Sequence, residues 1–203
     1  MPKDRNQDLQ AILIQSSTTY PKVVNLRKPV AERINNILRE TAYAAIPDYQ
    51  PGSSIMEAQS GYTTPVNMNG ILSVRFQNHY YPEKAAHGVT GVSSVTLNIE
   101  TGHFYNFDEL FRAGSNYAAV INQIIQEQIT ARQIPMLKPF EGIGPNEMYY
   151  LTPDSLVIYY QPYVYTPGYV GVLEFTIPYQ QIASIIDPNG PIGKIVVPAG
   201  SPK

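Results

Sequence analysis

All three histidines of the chain, His79, His87 and His103, fall in one stretch between Asn78 and Phe107. With Glu83 beside them, they are the residue types that hold a hydrolytic zinc: imidazole nitrogens and a carboxylate, with one coordination position left for water. The same groups act as acid–base catalysts near neutral pH. Their spacing is loose for either task. His79 and His87 are separated by a charged turn instead of one helical turn, and His103 belongs to another strand. A structural reading of His87 competes with this. In Ala85-Ala86-His87-Gly88 the small neighbours let the backbone approach another element, and an imidazole there donates one hydrogen bond and accepts another. A third reading turns His87 toward a ligand beside Tyr80 and Tyr81.

The second constellation is "YYQPYVYTPGYVG". Tyr159, Tyr160, Tyr163, Tyr165 and Tyr169 crowd together, broken by Pro162, Pro167, Gly168 and Gly171. Proline cannot donate to a strand ladder, so the segment reads as an edge, a bulge or an extended arm. Tyrosines on such backbone suit the binding of sugar rings or a protein partner. They suit equally the second face of a twisted edge, since tyrosine favours half-buried strands.

The elements that position these residues follow from periodicity. From Pro29 onward, Val30, Ile34, Ile37, Leu38 and Thr41 share one face at helical spacing, with Arg33, Asn36 and Glu40 on the wet side. A second helix is predicted after Ser115, its expected N-cap, with Val120, Ile121, Ile124, Ile125 and Ile129 as the apolar stripe. Asn69-Gly70 between β-compatible runs is a hairpin signal, because both residues tolerate positive φ. In the run after it Leu72, Val74 and Phe76 alternate with Ser73, Arg75, Gln77 and His79, which sets His79 toward solvent. Leu9–Ser17 reads as a strand, "NFDELF" as a short helical turn, and "IPYQQIASII" as another. The predicted fold class is α+β: a mostly antiparallel sheet with two substantial helices packed on one face. The predicted organisation is an N-terminal tail over 1–8, one globular unit over 9–186, and a C-terminal tail over 187–203. The unit is either undivided or split into subdomains over about 9–100 and 101–186.

Composition narrows function. The chain has 203 residues, formal net charge −2 and no cysteine. Without a basic field, nucleic acid is excluded as the expected partner. Without cysteine, disulfides, thiolate zinc and cysteine nucleophiles are excluded. No apolar run approaches the roughly 20 residues of a membrane helix, so membrane association is expected only through an anchor outside this chain. No GxSxG elbow, phosphate-binding glycine loop or HExxH occurs, and no cofactor is expected.

Several motifs, in order along the chain, resemble a family of bacterial extracytoplasmic domains of unknown general function. They are Tyr20-Pro21, Ile34-Asn35, Ala86-His87-Gly88, Thr101-Gly102, Asp108 to Phe111, and Gly171 through Pro178-Tyr179. The resemblance runs from about Leu9 to Ile186. Lys84-Ala85 stands where the family often has a glycine pair, and "YTPGYVG" departs from a more usual "PYAAG". Domains of this family occur in a lysozyme-sensing anti-sigma factor and beside the catalytic domain of a peptidoglycan deacetylase. The resemblance therefore implies an exported or membrane-anchored module that binds a cell-wall glycan or a wall-acting protein such as lysozyme, without catalysis. Tyr80, Tyr81, His87, Tyr163, Tyr165 and Tyr169 would supply stacking and hydrogen bonds, with Glu83 and Lys84 at the rim. The alternative is a metal-dependent hydrolase or deacetylase of wall polymer, with His79, His87 and His103 as ligands.

Overall fold

The computed structural model describes residues 16–44, 55–82 and 88–196. Glu83, Lys84, His87, most of the Leu9–Ser17 run and both chain ends lie outside the described residues. A first sheet has the order β1-β2-β3-β4, from β1 (Ser16–Thr18), β2 (Ile55–Met68), β3 (Ile71–Pro82) and β4 (Val89–Asn98). Within it β1 runs parallel to β2, and the other pairs are antiparallel. The predicted hairpin joins β2 and β3, with φ of 50° at Asn69 and 76° at Gly70. These values explain the Asn-Gly pair, since a bulkier residue would be strained there.

Helix α1 (Lys28–Ala44) covers one face of this sheet. Ile34, Leu38 and Ala42 are fully buried against Leu72, Val74, Phe76, Val95 and Leu97. The alternation read from the sequence thus places the apolar set of β3 under the helix. Asn35, one half of the "IN" pair, ties the segment before the helix to it: its Oδ1 accepts from Val23 N at 2.7 Å, and its Nδ2 donates to Val23 O at 3.1 Å.

The opposite face of β3 and β4 meets a second sheet, ordered β5 (Tyr149–Leu151), β6 (Ser155–Tyr160) and β7 (Leu173–Pro178), all antiparallel. Its far side packs on α2 (Tyr117–Ala131) through Ile121, Ile125 and Ile129. The α+β class and its two substantial helices stand as read from the sequence. The strands are divided between two sheets, however, and each helix covers the outer face of its own. β5 pairs with β6 across the turn at Thr152-Pro153-Asp154, where Thr152 N donates to Ser155 O at 2.9 Å.

Two local expectations are corrected. The N-cap of α2 is Asn116, with Ser115 outside the helix. The expected tail after residue 186 is packed: Pro191–Val196 forms α3, with Ile192 and Ile195 buried in the main core. A proline at the first helical position and isoleucines three apart explain the helix. Glycine makes its docking feasible, because a Cβ on Gly193 would lie 2.3 Å from Pro188 O.

Side chains, not strand ladders, join the sheets. Ser73, fully buried on β3, accepts a hydrogen bond from Leu151 N at 3.0 Å and lies 3.2 Å from Thr96 Oγ1. Ser94 donates to Tyr149 O and sits 2.8 Å from the Tyr159 hydroxyl. Arg75 pairs with Glu174 of β7 at 2.9 Å and lies over the Tyr150 ring. Replacing Ser73 with alanine strands the Leu151 N–H between layers. The expected loss is about 1–3 kcal/mol of unfolding free energy, read as a lower urea midpoint with unchanged slope.

Candidate functional groove

The two sequence constellations meet at one place. Tyr80, near the end of β3 and paired with Val89, and Tyr163, in the irregular segment after β6, line a groove of about 550 Å³. Its floor is β4 from Val89 to Ser93, and Ala44 at the end of α1 and Met148 complete it. Tyr80 is half-buried, and burial raises its phenol above the ordinary value. Two of the lining residues of β4, Gly91 and Ser93, are small.

Tyr163 reaches this groove by a strained backbone. Its φ is 70°, uncommon for a residue with a Cβ. The conformation is held by Tyr163 N donating to Thr166 O at 3.1 Å and Val164 N to Gln161 O at 3.2 Å. The ring then lies on Gly168, where a Cβ would come within 2.1 Å of the Tyr163 hydroxyl oxygen. Any other residue at 168 would push the ring away.

The remaining candidates separate. Tyr165 is core and not a binding residue, which corrects the sequence reading. It is buried, edge-on to Tyr160 at 4.9 Å and to Phe140 at 5.7 Å, with Lys138 Nζ 4.9 Å from the ring centre. The cause is the turn at Tyr163, which points 163 outward and leaves 165 facing the α2 side. Tyr169 is 82% exposed but does not line the groove. Tyr81 is half-buried and, by strand alternation, faces away from Tyr80.

The histidines do not gather. His79 is exposed as expected, with Nδ1 3.0 Å from Thr90 Oγ1, and faces a separate polar concavity with Gln59, Thr63, Arg75 and Gln77. His103 pairs with Glu109 at 2.8 Å beyond the other end of β4. The ladder sets His79 opposite Thr90, while His103 O accepts from Asn98 N. Eight residues of strand, roughly 26 Å at about 3.3 Å each, separate those two positions. Ligands of one zinc ion stand about 2 Å from it, so His79 and His103 cannot share one. Among the described residues, no three histidine, aspartate or glutamate side chains form a metal-sized cluster.

Sequence reasoning missed Gln161 and Thr90. Gln161 leaves the end of β6 and lays its amide on the β4 edge: Oε1 accepts from Val92 N at 3.1 Å, and Nε2 donates to Val92 O. The only trace of this in the sequence is Pro162, which stops the ladder one residue on.

The architecture is thus that of a two-sheet α+β domain with an aromatic-walled groove at a strand edge. Residues 108–180, which include α2 and the whole second sheet, match the family described as "Protein of unknown function (DUF3298)". It is 30% identical over 139 residues to the anti-sigma-V factor RsiV of Bacillus subtilis (strain 168), across 63% of this chain and 47% of that protein. The chain thus spans about half the length of this curated relative. Two crystal structures of DUF3298 family proteins share the fold. One, from Bacteroides fragilis NCTC 9343, gives a TM-score of 0.55 at 16% identity, covering 83% of this chain and 68% of the other. Another, from Pseudomonas aeruginosa PAO1, gives 0.55 at 16% over 80% and 79%. Among the described residues no helix is long and apolar enough to cross a membrane.

The tyrosines support two expected outcomes. Truncating Tyr165 to alanine should cost about 3–5 kcal/mol of stability, whereas the same change at Tyr169 should stay within about 0.5 kcal/mol. Urea unfolding checks both. Alkaline pH should also unfold the protein. Burial lifts the Tyr159 phenol to about 12, and Tyr149, Tyr160 and Tyr179 are raised for the same first reason. A tyrosine of the unfolded chain ionises near its ordinary value of 10.0, so above that pH the unfolded state holds fewer protons than the native one. Stability is therefore intact below about pH 10 and falls as pH rises through the folded values. Tyrosinate absorbance and circular dichroism should change together in an alkaline titration.

Proposed function

We propose that this chain is an extracytoplasmic sensing or binding domain that recognises a cell-wall glycan or a wall-acting protein such as lysozyme, and performs no chemistry of its own. The observation that carries this reading is the meeting of Tyr80 and Tyr163 across one groove, although they are far apart in sequence. A cavity of about 550 Å³ is within the range of ligand sites, and rigid aromatic walls bind at low entropic cost. The likeness to a protein named an anti-sigma factor supports a regulatory setting, in which binding is the signal. Extracytoplasmic placement rests on the family resemblance.

The test is thermal unfolding of the chain with a panel of muropeptides and, separately, with lysozyme. Only a ligand that prefers the folded state raises the melting temperature, and at about a hundred times its Kd it adds about 2.7 kcal/mol. One member of the panel should give a saturable rise. Replacing Tyr163 with alanine should remove about 1–3 kcal/mol of that binding while leaving the unliganded melting temperature nearly unchanged. Absence of any shift across the panel would refute both named partner classes.

A further inference from the structure

The β4 edge beside the groove carries an imitation of a peptide. Alternate residues of β4 direct their N–H and C=O groups away from β3. Asn98 N donates to His103 O at 2.9 Å, and Thr96 O accepts from Tyr105 N at 3.0 Å. Val92 is paired by the Gln161 amide, which presents one carbonyl and one N–H as a neighbouring strand would. Thr90 is next in this outward series. It lines the groove, and among the described residues neither its N–H nor its C=O takes a partner.

We propose that this edge receives an extended polypeptide segment of a protein partner, as one further strand of the first sheet, by backbone pairing with Thr90. Tyr80 and Tyr163 would hold its side chains from the two walls, and Gln161 would end the register at Val92. The chemistry of the occupant follows from what the edge already takes: an amide with a donor and an acceptor spaced as in a peptide. Strand addition draws affinity from the main chain and specificity from flanking pockets, which matches a bare edge position between two aromatic walls. A glycan lacks the alternating N–H and C=O of such a ladder. The inference rests on the reading of the groove as a binding site and narrows its partner to protein.

Proline at position 90 is the discriminating change. It removes the outward N–H, and because that N–H makes no bond to β3, the ladder beneath it stays whole. The Thr90→Ala control keeps both backbone groups and loses only the contact with His79. The probe is a phage-displayed library of random dodecapeptides selected on the intact chain. Selected peptides, made synthetically, are then titrated against wild type, T90A and T90P, each first shown to melt as a folded protein. Peptides should be recovered whose affinity falls at least about tenfold in T90P and changes less than about threefold in T90A. Their binding should slow deuterium exchange at the Thr90 amide of wild type. Recovery of no peptide, or of peptides indifferent to T90P, overturns the inference. If T90P fails to fold, unchanged exchange at Thr90 in saturated wild type overturns it equally. A muropeptide or lysozyme shift that persists without these effects leaves the groove reading intact and removes only strand addition. Peptides sensitive to T90P without any such shift leave strand addition standing and remove only the muropeptide and lysozyme partner classes.

Discussion

The fold depends on replacing strand pairing with side-chain hydrogen bonds where the two sheets meet. A strand edge pressed against another layer must find partners for its N–H and C=O groups or lose their hydration without return. Here Ser73, Ser94 and Gln161 supply those partners, and each serves a backbone group of the other sheet. The free edge of β7 is treated in the same way by α2: Gln128 Nε2 donates to Thr176 O at 2.8 Å, and Arg132, one turn on, donates to Glu174 O at 2.8 Å. Polar side chains, unremarkable singly, thus join the seven described strands as two sheets without a shared ladder.

This dependence sets what the sequence could disclose. Both helices, the Asn69-Gly70 hairpin and the inward set of β3 were legible, because each is fixed by local periodicity or by a required φ. Ser73 and Arg75 read as a solvent-facing set because alternation identifies faces without naming what covers them. One end of that face lies under the second sheet, with Ser73 fully buried, while Gln77 and His79 at the other end remain exposed. The same limit hid α3, because the prolines and glycines in and around it suggest an extended tail. Its isoleucines are buried only because Gly193 lets the helix approach backbone that a side chain would exclude.

The tyrosine-rich segment shows where composition runs out. A run of five tyrosines suits binding and strand packing alike, and the run divides: Tyr159, Tyr160 and Tyr165 are core and Tyr163 and Tyr169 are exposed. No period separates these sets. The division is made by one residue held at positive φ, by the glycine beneath its ring, and by Leu137, whose N–H binds Tyr165 O at 2.8 Å. Gathering Tyr80 and Tyr163 required a tertiary contact between sheets, so only the individual residue types of the groove could be read in advance.

The constraint that builds the fold also shapes the groove. Each edge position closed by a side chain is removed from pairing with other molecules, which is how sheet proteins avoid uncontrolled association. Along β4, closure by the described residues runs from Asn98 and Thr96 through His103 and Tyr105, is taken up again at Val92 by Gln161, and stops before Thr90. Gln161 closes the edge with a flexible side chain reaching from a loop, whereas His103 and Tyr105 close it with main chain. The strength of closure therefore declines toward the aromatic groove. Among the described residues, the same sequence of partners that seals the body of the sheet leaves its last position open beside two tyrosines.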